Sequence, residues 1–178
     1  MTNPIDKNQV QMLPLSLHDL TTLQYLSKKT FLDAFADVNT EEDMQTYLER
    51  AFSESQLAAE LQDPDTTFYF LQWQDKTIGY CKVKRGLPSN LAEEDTALEI
   101  CRLYVVQEFQ GQQFGQLMLE KIIASAQDQQ LDFVWLGVWS QNPGAIRLYE
   151  RNSFSKIGSY TFMLGNDPQT DFIMKRTL

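Results

Sequence analysis

The sequence predicts an α/β domain in which a mixed sheet of about seven strands is flanked by four to five helices. The first observation is the order strand, turn, helix and strand between Ala97 and Trp139, which is typical of a right-handed βαβ unit with parallel strands. The second is a pair of aromatic and β-branched segments joined tightly around Gln74 and Asp75, as in a hairpin. The third is the length of 178 residues, which fits one domain, 1–178, without repeat or linker.

The N-terminal part is predicted as one strand followed by three helices. Val10–Leu15 forms a short strand, which Pro14 places at an edge or an end. Ser16 caps the first helix, Thr40 caps the second, and Pro64 stops the third. Their apolar positions recur at helical spacing and comprise Leu17, Leu20, Leu23, Phe31, Ala34, Phe35, Met44, Tyr47, Leu48, Ala51, Phe52, Leu57 and Leu61.

The two hairpin strands are expected at Thr67–Gln74 and Lys76–Arg85, and Gly79 marks a candidate bulge in the second. The polar, acidic segment Leu87–Asp95 follows. It is either a solvated loop or a lip that attracts a cation.

The central strand is predicted at Ala97–Val106 and the helix after it at Gln112–Gln127. Leu131–Trp139 is an almost continuous apolar run, as expected for a strand that is covered on both faces. These three segments form the βαβ unit.

A further helix opens at Asn142 as N-cap and Pro143 as first residue, and Asn152 is the expected left-handed residue at its end. The last two strands are expected at Ser155–Leu164 and Asp171–Arg176. The turn-rich residues Gly165, Asn166, Asp167 and Pro168 separate them.

Composition excludes several classes of function. The net charge of −9 argues against nucleic acid or an anionic membrane as partner and favours a cationic small molecule, although acidity also serves solubility. Cys81 and Cys101 lie in predicted strands as buried thiols, which suits a reducing cytoplasm. The single His18 with two scattered cysteines gives no zinc cluster and no plausible catalytic triad. No apolar run is long enough to span a membrane.

The segment Gln110–Gln116 joins the central strand to its helix and is a candidate anion site. Unpaired backbone N–H groups at a helix start, at the positive end of the helix dipole, suit a diphosphate. Gly111 and Gly115 allow close approach of a ligand, and Gln110 offers a side-chain amide. Taken alone, the segment is better explained as an ordinary strand-to-helix turn with glycines for geometry.

A second motif changes this interpretation. Downstream of LEICRLYV (98–105) and QGQQFG (110–115), the sequence WLGVWSQNPGAIRLYERNSF carries Asn142, Ala145, Tyr149 and Phe154. The pair of motifs resembles the GNAT superfamily of N-acetyltransferases over about Glu99 to Phe154. Two positions depart from that pattern, since Gln113 and Ser153 replace glycines. A non-glycine residue at 113 must keep φ negative or accept modest strain.

A closer resemblance extends over most of the chain. YLERAF (47–52), LEICRLYV (98–105), WLGVWSQN (135–142) and QTDFIM (169–174) are similar to the bacterial spermidine/spermine N-acetyltransferases first described as negative regulators of protease production and sporulation. This resemblance implies a polyamine as the acetyl acceptor.

The resemblance implies the cosubstrate acetyl-CoA, no metal, and a sheet whose fourth and fifth strands splay apart. Pantetheine then pairs with the backbone of Leu103 and Val105, and the Val105 N–H polarises the thioester carbonyl. Asn142 touches pantetheine, and the amides of Gln110–Gln116 bind the pyrophosphate. The full set of expected cofactor contacts is Leu103, Tyr104, Val105, Gln110, Gly111, Gln112, Gln113, Phe114, Gly115, Gln116, Asn142, Ala145 and Tyr149.

Two residues are candidates for the proton transfers of a direct attack in a ternary complex. Tyr149 is the candidate general acid for the leaving thiolate, with core packing as the alternative. Glu99 is the candidate base for the amine, with an ion pair to Arg102 or Lys82 as the alternative. The side chains supposed to attract a polyamine are Asp33, Glu41, Glu42, Glu93, Glu94 and Asp95.

Other functions stay open at this level. The acceptor could instead be a protein N-terminus or lysine, an aminoglycoside or an amino acid, and a non-catalytic CoA-binding regulator is a further alternative. A generic nucleotide binder would need a P-loop lysine or a glycine-rich turn after the first strand, and neither is present. The oligomeric state is open, with a homodimer among the alternatives.

Overall fold

The computed structural model describes residues 9–88 and 96–178, and within them it confirms the predicted α/β fold. A seven-stranded mixed sheet has the order β1-β2-β3-β4-β5-β7-β6. Its strands are β1 (Val10–Pro14), β2 (Thr66–Trp73), β3 (Lys76–Arg85), β4 (Ala97–Val105), β5 (Phe133–Trp139), β6 (Ser155–Leu164) and β7 (Asp167–Thr177). Its helices are α1 (Leu20–Phe35), α2 (Glu41–Ala51), α3 (Glu54–Gln62), α4 (Phe114–Asp128) and α5 (Pro143–Arg151).

Short polar side chains start the helices where the sequence predicts caps. Ser16 forms a capping box with Asp19, although the first turn is a 3₁₀ helix and α1 follows it at Leu20. The Thr40 side chain accepts from the N–H of Asp43, and Asn142 accepts from the N–H of Ala145. The predicted N-caps are therefore confirmed.

The bulge expected near Gly79 is present in the β2–β3 hairpin. Leu71 pairs with Gly79 and Gln72 with Thr77, so Ile78 is the extra residue. Gly79 itself serves a close approach between strands. A Cβ at this position would collide with the Tyr104 carbonyl oxygen and lie 3.2 Å from the Val105 Cα.

The parallel pairing of β4 and β5 confirms the βαβ unit, but it is short. It runs from the pair Ala97 and Phe133 to the pair Ile100 and Leu136, and both strands continue beyond it without pairing to each other. Cys101 is an extra residue in β4 opposite β3, because Val83 pairs with Ile100 and Lys82 with Arg102. Bulges bend a strand and increase its twist, so β4 turns away from β5 at Cys101.

The bulge also decides which side chains share a face. Directly paired residues point to the same face of a sheet, and successive residues alternate. The register of β4 against β3 therefore places Glu99, Arg102 and Tyr104 on one face, toward α1–α3, and Leu103 and Val105 on the other, toward α4.

The end of α5 differs from the prediction. Asn152 has φ −100°, and Ser153 takes the left-handed conformation at φ 65°. The N–H of Phe154 bonds the Tyr149 carbonyl at 3.1 Å and that of Ser153 bonds the Glu150 carbonyl at 3.0 Å, as in a Schellman motif. The left-handed residue follows the C-cap in this motif, which assigns it to Ser153.

The last strand begins earlier than predicted. Gly165, at φ 60°, and Asn166 form a two-residue turn, so β7 starts at Asp167 and includes Pro168. Pairing of β7 with β5 begins only at Asp171. At Pro168, β7 therefore pairs only with β6. The missing N–H of the proline breaks no hydrogen bond to β5.

None of the helices in ranges 9–88 and 96–178 combines the length and the apolar character needed to cross a membrane.

We expect Gly79→Ala to destabilise the fold by about 1–3 kcal/mol, because the added methyl group collides with the backbone of β4. Urea unfolding measures the change. Gly144→Ala is the matched control, since a Cβ there meets only the Asn142 Oδ1 at 3.7 Å and alanine favours the helix. Equal stability of the two variants would contradict the close approach at Gly79.

Candidate active site

The wedge between the diverging ends of β4 and β5 contains a cavity of about 200 Å³. It brings together residues from β4, β5, α5, α1, α2 and the C-terminal hairpin. Six of the predicted site residues line it, namely Glu99, Leu103, Tyr104, Asn142, Ala145 and Tyr149. The sequence motifs thus meet in one place, although they are far apart in the chain.

A second cavity of about 960 Å³ lies in front of the N-terminus of α4. Ala145 lines both cavities, so they adjoin. The predicted residues around the larger one are Val105, Gln110, Gly111, Gln113, Phe114, Gly115 and Gln116. Together the two cavities form a cleft that runs from the start of α4 to the α1–α2 face of the sheet.

The N-terminus of α4 has no side-chain cap, unlike α2, α3 and α5. Its first helical bond runs from the N–H of Leu117 to the Gln113 carbonyl at 3.0 Å. The N–H groups of residues 114–116 therefore have no acceptor within the helix. Since these groups face a large open cavity at the positive end of the helix dipole, they suit a bound anion.

The turn before α4 is held in a left-handed conformation at two positions. Gly111 has φ 72° and Gln113 has φ 66°. Of the two alternatives for Gln113, a negative φ or backbone strain, the structure therefore has the second. The left-handed conformation costs a non-glycine residue about 1–2 kcal/mol. The Phe114 side chain is buried, and its ring packs against that of Trp73 with centroids 5.4 Å apart. Phe114 can therefore offer a ligand only its backbone.

The sequence offered the side-chain amide of Gln110 to a phosphate, but in the structure this amide has another partner. Its Nε2 donates to the Val105 carbonyl at 3.0 Å. This bond fixes the turn to the end of β4. Similarly, the Gln116 side chain exchanges two 2.8 Å hydrogen bonds with Asn152 and ties α4 to the end of α5.

The Val105 N–H points into the wedge. Polar groups of successive residues in a strand point to opposite sides. The N–H of Val106 donates to the Ile78 carbonyl of β3 at 2.9 Å. The N–H of Val105 therefore points away from β3, toward the gap between β4 and β5. Gln110 occupies the Val105 carbonyl, which leaves its N–H as the group for a ligand.

Tyr149 projects from α5 into the smaller cavity and is otherwise buried, with 8% of its surface exposed. Its ring packs against Phe154 with centroids 5.7 Å apart. Burial raises the pKa of Tyr149 to about 12. The phenol therefore stays protonated at neutral pH and can donate its proton or a hydrogen bond.

Glu99 does not form the ion pair with Arg102 or Lys82 that was the alternative to its role as a base. Both candidate partners bind Glu60 of α3 instead, Lys82 at 2.9 Å and Arg102 at 3.0 Å. Burial raises the pKa of Glu99, and the positive charges of Lys82 and Lys84 offset this only in part. A carboxylate that lines the cavity with a raised pKa is suited to accept a proton.

The sequence interpretation missed four further residues of the cleft. Arg147 and Arg151 lie one turn apart on α5 and line the larger cavity. Their spacing of four residues on a predicted helix was the available signal. Tyr160 and Asp171 line the smaller cavity. Asp171 stands directly before the apolar run FIM (172–174), and an acidic residue at that place was the available signal.

The three described acidic residues that were supposed to attract an amine do not line the cleft. Asp33, Glu41 and Glu42 are absent from the lining of both cavities, and Asp33 pairs with Lys29 at 2.7 Å. Glu93, Glu94 and Asp95, with most of the expected acidic lip, lie outside the described residues.

The comparison with known families decides the identity of this cleft. The model of the acetyltransferase (GNAT) family matches residues 29–154, which include both motifs and most of the residues that line the cleft. The chain belongs to this family. It is therefore an N-acetyltransferase whose acetyl donor is acetyl-CoA. The diphosphate of that cosubstrate matches the anion site at α4.

Curated relatives of this GNAT protein match it over nearly the full length. An uncharacterized N-acetyltransferase from the pepI 3′ region of Lactobacillus delbrueckii subsp. lactis is 32% identical, with 95% of this chain and 98% of the relative covered. An uncharacterized N-acetyltransferase of Mycobacterium bovis is 27% identical, with 90% and 98% covered.

Solved structures share the fold. The PaiA N-acetyltransferase of Thermoplasma acidophilum, in complex with coenzyme A, superposes with a TM-score of 0.76 at 21% identity, covering 95% of this chain and 99% of that one. The spermidine/spermine N-acetyltransferase SpeG of Vibrio cholerae, in mutant forms, gives 0.69 at 18% identity, covering 96% and 94%.

Proposed function

We propose that this GNAT enzyme acetylates a polyamine, spermidine or spermine, by direct attack of a primary amine on acetyl-CoA. The observation that carries the proposal is the carboxylate of Glu99 in the acceptor half of the cleft, which forms no ion pair within residues 9–88 and 96–178. Glu60 binds the neighbouring cations Lys82 and Arg102, so neither of them pairs with Glu99.

The rest of the acceptor half also suits a cation on a flexible apolar chain. Its walls are largely aromatic, and aromatic faces attract ammonium groups. Phe31 stacks on Tyr47 at 4.5 Å, and Phe35 meets Trp139 edge-on at 6.1 Å. Asp171 adds a second carboxylate to the same cavity.

The solved structures offer parallel support. SpeG of Vibrio cholerae acts on spermidine and spermine according to its name, and it shares this fold. Likewise, the resemblance of LEICRLYV and QTDFIM to the bacterial spermidine/spermine enzymes favours a polyamine over other amines.

In the proposed complex the donor half of the cleft holds acetyl-CoA. The N–H groups of residues 111–116 bind the pyrophosphate, and Arg147 and Arg151 add positive charge beside it. Pantetheine lies along the unpaired edge of β4 at Leu103 and Val105. The Val105 N–H then donates to the thioester carbonyl and stabilises the negative charge that develops there during attack.

Two side chains handle the protons. An alkylammonium with a pKa of about 10.4 is mostly protonated at neutral pH and must lose a proton before it attacks. Glu99 accepts that proton, directly or through a water molecule. Tyr149 donates to the sulfur of the departing thiolate. Asn142 caps α5 through its Oδ1 and so positions the helix that carries Tyr149.

An acceptor panel tests the proposed substrate class. With acetyl-CoA in excess, release of free thiol is measured for spermidine, spermine, a lysine peptide, a free protein N-terminus, an aminoglycoside and amino acids. We expect kcat/KM for the polyamines to exceed the others by about tenfold or more, because two carboxylates face the acceptor. A preference for the peptide or the aminoglycoside would contradict the proposal and leave the family assignment intact.

Tyr149→Phe tests the general acid. Removal of the hydroxyl keeps the ring packed on Phe154 but leaves the thiolate without its donor, so kcat should fall about 10²-fold or more. KM for acetyl-CoA should change little. Tyr25→Phe, at an exposed position on α1, is the control for loss of a phenol. An unchanged kcat in Tyr149→Phe would exclude the role.

Glu99→Gln tests the base through the pH profile. Glu99 must be ionised to accept a proton, so wild-type kcat should decline as the pH falls through its raised pKa. The glutamine variant should lose about 10²-fold in kcat at neutral pH and should lose this acid limb. If the limb persists with the same midpoint in Glu99→Gln, another group is the base.

A further inference from the structure

Asp171 of β7 is a second carboxylate of the acceptor cavity, and the sheet places it on the same face as Glu99. Glu99 pairs with Trp135, and Trp139, two pleats further along β5, pairs with Asp171. Paired residues share a face, and every second residue of β5 points to it. Both carboxylates therefore project toward α1 and α2, where Phe35 packs against Trp139.

The Asp171 side chain is incompletely satisfied. Its Oδ2 accepts a hydrogen bond from the Tyr160 hydroxyl at 3.2 Å. Its Oδ1 is shielded from solvent and has no hydrogen-bond partner in the described part of the chain. Only 8% of the residue is exposed. A buried carboxylate oxygen without a donor is costly, and the partner of such a group in a native protein is an ordered water, an ion or a ligand.

The surrounding residues hold this arrangement in place. Tyr160 pairs with Asp171 across the β6–β7 hairpin, and its ring reaches over β7 to Gly137 of β5. A Cβ at Gly137 would collide with the Tyr160 hydroxyl, so this position requires glycine if the ring is to lie there. The hydroxyl thus occupies the space between Asp171 and Glu99, and burial together with both negative charges raises the pKa of Tyr160.

We propose that Asp171 binds the second ammonium group of the acceptor, while Glu99 serves the amine that is acetylated. An ammonium donates to the oxygen that lacks a partner, and the soft χ2 torsion of aspartate lets the carboxylate turn toward it. The Tyr160 ring borders the same space and adds an aromatic face for the cation. Asp171 is thereby a specificity-determining residue that selects dications over monocations. This inference rests on the proposed polyamine function.

The test compares two acceptors that differ only in the second amine, putrescine and n-butylamine. We expect Asp171→Asn to lower kcat/KM for putrescine and spermidine about tenfold or more, mainly through KM, because the variant keeps the shape but loses the charge. Its kcat/KM for n-butylamine should fall by a smaller factor, so the preference for putrescine over n-butylamine should drop about fivefold or more. Asp128→Asn, at the exposed end of α4, controls for the loss of one negative charge.

Each outcome separates the two proposals. If wild type acetylates putrescine and spermidine and Asp171→Asn keeps its preference for putrescine over n-butylamine, the role of Asp171 is excluded and the polyamine function stands. An equal loss on both acceptors also excludes it, because a second ammonium is then not involved. If wild type is inert toward every polyamine but acetylates another amine, both proposals fall.

A folding control accompanies these assays. The thermal midpoint and the affinity for CoA of Asp171→Asn should match those of wild type. If that variant does not fold, Asp171→Ser carries the same comparison, since its hydroxyl can still accept from Tyr160 and its charge is likewise removed.

Discussion

The early end of the β4–β5 ladder is the constraint on which the rest of the structure depends. Four residue pairs join the two strands, from Ala97 and Phe133 to Ile100 and Leu136. The bulge at Cys101 then bends β4 away, and an unpaired strand edge is exposed inside the protein. Buried backbone groups need hydrogen-bond partners, so this edge is suited to a ligand that can supply them.

The same bulge separates the two halves of the chemistry. It places Glu99 on the α1 face of the sheet and Val105 on the α4 face, although both belong to one strand. The donor half of the cleft therefore opens toward the N-terminus of α4, and the acceptor half toward the aromatic residues of α1 and α2. In the proposed reaction, thioester and amine approach from opposite faces and meet in the gap between the strands.

An ion-pair cluster that does not include Glu99 lies beside the acceptor half. Glu60, Lys82 and Arg102 form a nearly buried cluster, with 12–13% of each side chain exposed. Burial by itself would raise the pKa of Glu60, but Arg102 and Lys82 hold it below its ordinary value. Both cations bind Glu60 rather than Glu99, and burial raises the pKa of Glu99. One glutamate thus pairs with the buried cations, and another lines the acceptor cavity.

What the sequence determined by itself was local. The periodicity of its apolar residues, its capping residues and the two motifs predicted seven strands, five helices, the anion site before α4 and the family. Such features depend on neighbours within a few residues, and they were placed correctly to within about two residues at most boundaries. The predictions of Asn152 as the left-handed residue and of Asp171 as the start of β7 were wrong, because both features depend on turn geometry.

Only the tertiary structure decided which residues meet. LEICRLYV contains no glycine or proline that would signal a bulge at Cys101, since the bulge arises from register against β3. The ion pairs of Glu60 join α3 to β3 and β4, and the placement of Asp171 beside Tyr160 joins two strands to the cavity. These contacts link residues far apart in the chain, and their energies depend on burial and distance, which the order of residues does not encode locally.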